Sequence, residues 1–271
     1  MKGITIFLVV ALLLVGVLYT SGVLTGDKWW LPDSGDRPAK EATTQEKVVE
    51  LGDATSAQVE LKMGSGDVTV EGGAGALMDA TFTYNVAAWK PIVDYVVKGN
   101  EGRLTVREPS GSTTTSGTGW RNEWDIRLSA TTPIDLVCKT GAGDTDLDLR
   151  NTLVRTLTVD GGASKTTVKA ASTVMTNVEV RAGVGDVSLD LTGEWKNNAA
   201  VKVSGGVGSV RLTIPEEVGV TINVKKGVGA VMANGLVQDG TTYHNAAYGQ
   251  SPVTIAVELS VGVGSITISR G

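Results

Sequence analysis

The chain has 271 residues, 35 of them glycine and 7 proline, and a formal net charge of −5. That balance leaves no broad basic surface for nucleic acid, and the absence of a Gly-x-y period excludes collagen. A single cysteine, Cys138, and a single histidine, His244, exclude an internal disulfide framework and a zinc site of ordinary Cys/His composition.

Residues 4–24, "ITIFLVVALLLVGVLYTSGVL", carry no charge and reach the length of about 20 apolar residues that crosses a bilayer as one helix. The expectation is one N-terminal transmembrane helix within a membrane segment 1–26, retained as an anchor. Cleavage as a signal peptide, giving a secreted protein, is the alternative. Lys2 precedes the span and favours an inside N-terminus; Trp29 and Trp30 follow it, where indole rings suit the headgroups. A single-pass protein of the cell membrane with its remainder outside the cytoplasm follows. Residues 27–54 mix charges and hold two prolines; they read as a polar tether, in which a short helix fits over 41–51.

Beyond the tether one phrase returns: "GSGDVTV" at 64–70, "GAGDTDLDL" at 141–149, "GVGDVSLDL" at 183–191, "GVGSVRLTI" at 206–214, "GVGAVMA" at 227–233 and "GVGSITIS" at 262–269. A degraded copy begins at Gly162. From Gly141 onward the steps are 21, 21, 23, 21 and 35 residues, the last lengthened by an insertion over 234–252. In each unit one alternating strand enters the glycines and another leaves them. Val187, Leu189 and Leu191 then share a buried face, with Ser188 and Asp190 pointing outward. The turn residues are Gly64 and Gly66, Gly141 and Gly143, Gly183 and Gly185, Gly206 and Gly208, Gly227 and Gly229, and Gly262 and Gly264. Stacking such units gives an all-β fold of stacked β-repeats, a β-solenoid or rack of hairpins whose coils pair about 4.8 Å apart. Strands 57–149 are less regular, and "EPSGSTTTSGTGWRNEW" (108–124) reads as a surface loop.

The stretches "VELKMGSGDVTVEGGAGALMDATFTYN", "GRLTVREPSGS" and "WDIRLSATTPIDLVCKTGAGDTDLDL" resemble the toast-rack N-terminal domain, and 55–155 is assigned to it. Residues 156–271, with "VSGGVGSVRLTIPEEVGVTINVKKGVGAVMANG" and "YGQSPVTIAVELSVGVGSITI", resemble the C-terminal domain of LiaF-type proteins, and are similar to the wider adhesin-like β-repeat families. LiaF-type resemblance implies restraint of a cell-envelope stress two-component system that responds to cell-wall-active antibiotics. Such proteins generally carry several membrane helices before the β domain, whereas one apolar span stands here.

The glycines do not cradle phosphate, because each pair leads into a strand rather than a helix N-terminus and no Gly-x-x-x-x-Gly-Lys-Ser/Thr occurs. Asp67, Asp144 and Asp186 follow the second glycine and are the candidate cation ligands, but Ser209, Ala230 and Ser265 hold the same position elsewhere. Turn side chains bonding nearby backbone N–H groups explain that mixture better, so the expectation is no metal and no cofactor. Cys138 alternates with Ile134 and Leu136 and reads as a buried hydrophobe. His244, inside the insertion and beside Tyr243 and Tyr248, reads as a solvated loop residue. Asp146, Asp148 and Asp190 are the acids that a glycan-processing solenoid enzyme would use, yet outward acids on strands ordinarily serve solvation.

The expectation is therefore a non-enzymatic, membrane-anchored extracytoplasmic scaffold, sensor or interaction module of the envelope, with LiaF-like stress regulation as one version. A surface adhesin or glycan-binding module is the alternative. Its partners are the membrane and either an envelope protein or a second copy, paired through the C-terminal strand edge at "VGVGSITISRG", where Arg270 is the gatekeeper and the 234–252 loop is an alternative cover. No nucleic acid is expected.

Overall fold

The computed structural model describes residues 41–110 and 119–271. The expected membrane helix, with Lys2, Trp29 and Trp30, lies outside the described residues, as does residue stretch 111–118. Among the described residues no helix is long and apolar enough to cross a membrane.

Among the described residues twenty-one strands follow one another. The first seven are β1 (Thr43–Val49), β2 (Ser56–Ser65), β3 (Asp67–Ala74), β4 (Met78–Tyr84), β5 (Ile92–Lys98), β6 (Glu101–Arg107) and β7 (Asn122–Ser129). A regular series comes next: β8 (Pro133–Ala142) and β9 (Thr145–Asp148), β10 (Leu153–Ala163) and β11 (Thr166–Lys169), β12 (Asn177–Val184) and β13 (Val187–Asp190), β14 (Ala199–Val207) and β15 (Val210–Ile214). The chain finishes with β16 (Gly219–Val228), β17 (Val231–Ala233), β18 (Val237–Asp239), β19 (Thr242–His244), β20 (Thr254–Val263) and β21 (Ile266–Arg270). Ten strands form one sheet in the order β1-β4-β7-β3-β9-β11-β13-β15-β21-β17. Eleven form the other in the order β18-β19-β16-β20-β14-β12-β10-β8-β2-β6-β5. Each coil gives one strand to each sheet, and neighbouring coils pair in parallel. The larger sheet continues across residue 155, where β10 pairs with β8 on one side, with a register shift between Val154 and Thr156, and with β12 on the other.

The interior is made of ladders. Val59, Leu136, Leu157, Val178, Val201, Val257 and Ile222 lie side by side in the larger sheet. Val70, Leu147, Val168, Leu189 and Leu212 do so in the smaller one. All are buried, each contributing about 1.5–3 kcal/mol of transfer free energy. Cys138 occupies one rung, between Leu61 and Val159, fully buried. Trp124 and Phe82 close the N-terminal end with an edge-to-face contact at 5.6 Å between centroids.

The glycine corners set the coil spacing. The backbone ladder continues through each turn: Gly185 N donates to Val207 O and Gly208 N to Val263 O, both at 2.9 Å. Gly208 has φ +143°, and a Cβ there would fall 1.9 Å from the Gly185 carbonyl oxygen. That backbone region is open essentially to glycine alone, and the preceding coil leaves no room for any side chain.

Three expectations change. Residues 43–49, expected within the tether, form strand β1, antiparallel to β4. Only Val49 of β1 is buried, so an edge strand with polar residues on both faces carries no alternation for a sequence to reveal. The C-terminal strands are not an edge: β21 lies between β15 and β17, and β20 between β14 and β16. The chain builds β16 and β17 one place too far, crosses through the 234–252 insertion, and returns to fill the gap. Finally, that insertion contains the β18–β19 hairpin, which pairs antiparallel with β16 and covers the edge of the larger sheet.

Two alanine variants separate steric from conformational effects. G208A, whose Cβ meets backbone, is expected to lose more than about 2 kcal/mol. G73A, at φ +107° with nothing within 4 Å, is expected to lose only the conformational strain, about 1–2 kcal/mol. Urea unfolding midpoints of the two variants check the ranking.

Candidate functional site

At two corners the acid that follows the second glycine reaches along the stack. Asp67 Oδ1 accepts a hydrogen bond from Asp144 N at 2.8 Å, and Asp186 Oδ1 accepts one from Ser209 N at 2.9 Å. The bond crosses to the next coil, so Asp67 and Asp186 stitch neighbours rather than capping their own turns. Ser265 Oγ continues the line by bonding Ser209 Oγ at 3.3 Å. Between the coils of Asp144 and Asp186 runs the coil bearing Lys165, whose sequence puts a cation where a ligand ladder needs an acid. Among the described residues no group of three His, Cys, Asp or Glu side chains is placed to hold a metal ion.

The outward carboxylates are engaged with each other's counterions. Arg150 bonds both oxygens of Asp148, with Lys169 at 3.4 Å. The Arg150 guanidinium holds the Asp148 carboxyl down to about 2, against an opposing effect of partial burial. That is the reverse of the raised value a general acid needs. Asp190 Oδ1 accepts from Thr192 N at 2.8 Å and Thr192 Oγ1 at 2.7 Å, and Asp146 stands exposed. On the other sheet Arg155 pairs with Asp135, Lys139 with Glu60, and Arg181 with both Asp160 and Glu179.

His244 lies on β19 rather than in a loop. Its ring stacks on Tyr248 with centroids 4.4 Å apart and planes 15° apart, and its Nδ1 is buried with no hydrogen-bond partner. Neighbouring Asn245 fixes the crossing segment: its Nδ2 donates to Pro215 O and Val218 O, and its Oδ1 accepts from Val220 N. Burial, with the Asp160 charge adding to it, pushes the Cys138 thiol up to about 12, so it is no nucleophile.

Two surface features were not visible in the sequence. One is a groove of about 430 Å³ on the outer face of the smaller sheet, near β1. Glu46, Glu71, Asp79 and Asp125 line it together with Arg127, and no aromatic side chain takes part. It depends on β1, so the tether reading concealed it. The other is a ridge. The middle residue of each glycine turn projects outward, and Val184, Val207, Val263 and Val228 pair in register, 57, 51, 50 and 71% exposed. With coils about 4.8 Å apart, the four valines make one continuous apolar line about 15 Å long. The "GVG" copies carried this signal, and it becomes legible once the corner is known to face solvent.

Two predictions test the electrostatic account. D186A is expected to lose about 1 kcal/mol, the ordinary value of one hydrogen bond, and added calcium is expected to leave the melting temperature of the parent protein unchanged. The Asp148 carboxyl lies below its ordinary 3.8 when folded, so its contribution is complete above that value and is lost as pH falls toward 2. The melting temperature of D148N should therefore fall less steeply than that of the parent across this interval. The difference should shrink in high salt, because the pair is part-exposed and screened.

Compared with known protein families, residues 37–175 and again 171–213 match the N-terminal domain of toast_rack, DUF2154. The second match includes residues assigned above to a LiaF-type C-terminal domain. A "putative cell adhesion protein" from Clostridium sporogenes ATCC 15579 superposes with a TM-score of 0.67 at 31% identity, covering 85% of this chain and 100% of its own. A "putative adhesin" from Bacteroides fragilis NCTC 9343 aligns at 15% identity and a TM-score of 0.37, over 85% of this chain and 98% of its own. A search of curated proteins finds no match. With the family match extending over more than half of its length, this all-β rack belongs to the toast-rack N-terminal domain family.

Proposed function

We propose that the chain is a non-enzymatic interaction module of the cell envelope. In this reading the apolar segment 4–24 anchors it in the membrane, and the β rack stands outside the cytoplasm to engage an envelope protein. The observation that carries the reading is the valine ridge. Four half-exposed valines in register, flanked by glycines without side chains, offer an apolar line to a partner while adding little to the core. The pairing of the outward charges supports it too, because these side chains satisfy one another across coils. LiaF-like restraint of a stress-sensing kinase is the specific version that the resemblance of the C-terminal repeats favours.

The adhesin reading has two observations of its own: the polar groove beside β1, and the 31% identical relative named for cell adhesion. The groove offers carboxylates and Arg127 for hydrogen bonding to sugar hydroxyls but no aromatic face for a sugar ring to stack on. This places glycan binding second.

Crosslinking of the full chain in intact cells, followed by identification of the captured molecules, separates the readings. V207S/V228S is expected to abolish capture of a protein partner while leaving the melting temperature within about 2 °C, since both side chains are exposed. Capture of a histidine kinase supports the regulatory version. Retention of specific glycans on an array, lost in R127A, would instead establish the adhesin reading.

A further inference from the structure

Among the described residues the rack has four sheet edges, and three are guarded. At the C-terminal end β17 and β18 are each three residues long, too short to template another chain. At the N-terminal end β1 places Lys47 on the face shared with buried Ala80 and Phe82, and an inward-pointing charge is a standard deterrent to pairing. The fourth edge, β5, is neither short nor marked by an inward-pointing charge; its charges, Asp94 and Lys98, face outward, and Asp94 also lies 3.6 Å from Arg107 of β6. It is seven residues long, "IVDYVVK", its only proline neighbour is Pro91 before it, and its pairing to β6 is regular throughout. Val96 and Val97 are 52% and 41% exposed.

The backbone of β5 is ready to accept a strand. The two-residue turn at Gly99 and Asn100 joins Lys98 to Glu101, making them a hydrogen-bonded pair. Alternation then directs the N–H and C=O groups of Val93, Tyr95 and Val97 away from β6. The side chains are self-complementary about Val96. Asp94 lies two residues before it and Lys98 two residues after, on the same outward face. Tyr95 is held on the inner face by its hydroxyl, which donates to Leu51 O at 2.7 Å.

We propose that β5 is a dimerisation edge that pairs antiparallel with β5 of a second copy about a two-fold axis through Val96. In that register the two Val96 side chains meet. Each Asp94 faces the partner's Lys98, and each Tyr95 faces the partner's Val97. The Asp94–Lys98 pairs fall at non-hydrogen-bonded positions, where side chains approach most closely. A register shifted by one residue in either direction loses both ion pairs. The larger sheet then continues from one copy into the other, and the two C-terminal ends point away from the junction. This replaces the C-terminal edge expected from sequence, which the return of β20 and β21 into the stack has filled.

The test is charge reversal read out by sedimentation of the full chain in mild detergent. D94K and K98D each set like charges opposite one another at both symmetry-related positions, and each is expected to weaken the dimer about tenfold or more. D94K/K98D restores opposite charges and is expected to restore the dimer. Independently, V96C places two cysteine Cα atoms about 4.5 Å apart, within disulfide range, so oxidation is expected to give a covalent dimer. V237C at the opposite end is expected to give none, and buried Cys138 does not compete. A chain that stays monomeric at high concentration, or a double variant no better than the singles, overturns the proposal. So does a monomer whose V96C thiol is shielded from reagents, which would show the edge covered by another part of the same chain.

Discussion

The structure depends on how closely two backbones pass at a corner. Parallel coils pair at a fixed strand spacing, and the ladder does not pause where the chain turns from one sheet to the other. Gly185 and Gly208 donate across the turn as strand residues do. At that spacing the carbonyl of one corner occupies the place where a Cβ of the next would be. Glycine is therefore imposed by the neighbouring coil as much as by the turn itself. The stitching by Asp67 and Asp186 follows from the same geometry, because it requires the next coil's N–H within reach.

Several consequences follow for the molecular surface. A corner stripped of side chains by glycine leaves its middle residue standing alone, and the valines at that position line up because the coils do. Strand faces alternate, so outward acids and bases from successive coils are brought side by side and neutralise one another. Asp148 between Arg150 and Lys169 is the clearest case. Stacking also creates ends. The chain manages them by overshooting and returning at both extremities: β2 and β3 are enclosed after β6 and β7 form, and β20 and β21 fill the space left beside β16 and β17. The stacked faces thereby leave three features apart from the paired charges: a ridge, a groove and the β5 edge.

The ladder residues were legible in the sequence because alternation and repeat spacing report the same physical fact, a strand with one buried face. Val187, Leu189 and Leu191 are buried as their spacing requires. Coil order was not legible, since the copies at 206, 227 and 262 have nearly the same corner and nothing local distinguishes their place in the stack. The length of the 234–252 insertion and the Asn245 bonds that hold the crossing decide it. Strand β1 escaped notice because its core-side positions include Gln45 and Lys47, which look like solvent positions. The polar groove was lost with it. His244 showed its place only when the insertion proved to be a hairpin.

Native-state hydrogen exchange at the corner amides tests the central claim most directly. If the repeated glycine phrase is architecture, the N–H groups of Gly66, Gly185, Gly208 and Gly264, each bonded to the next coil, should exchange only through the large-scale opening that releases the flanking strands. They should also be unaffected by any added ion or nucleotide. Fast exchange at these amides in the folded protein, slowed by a bound ligand, would contradict the account and return the glycine phrase to the status of a binding loop.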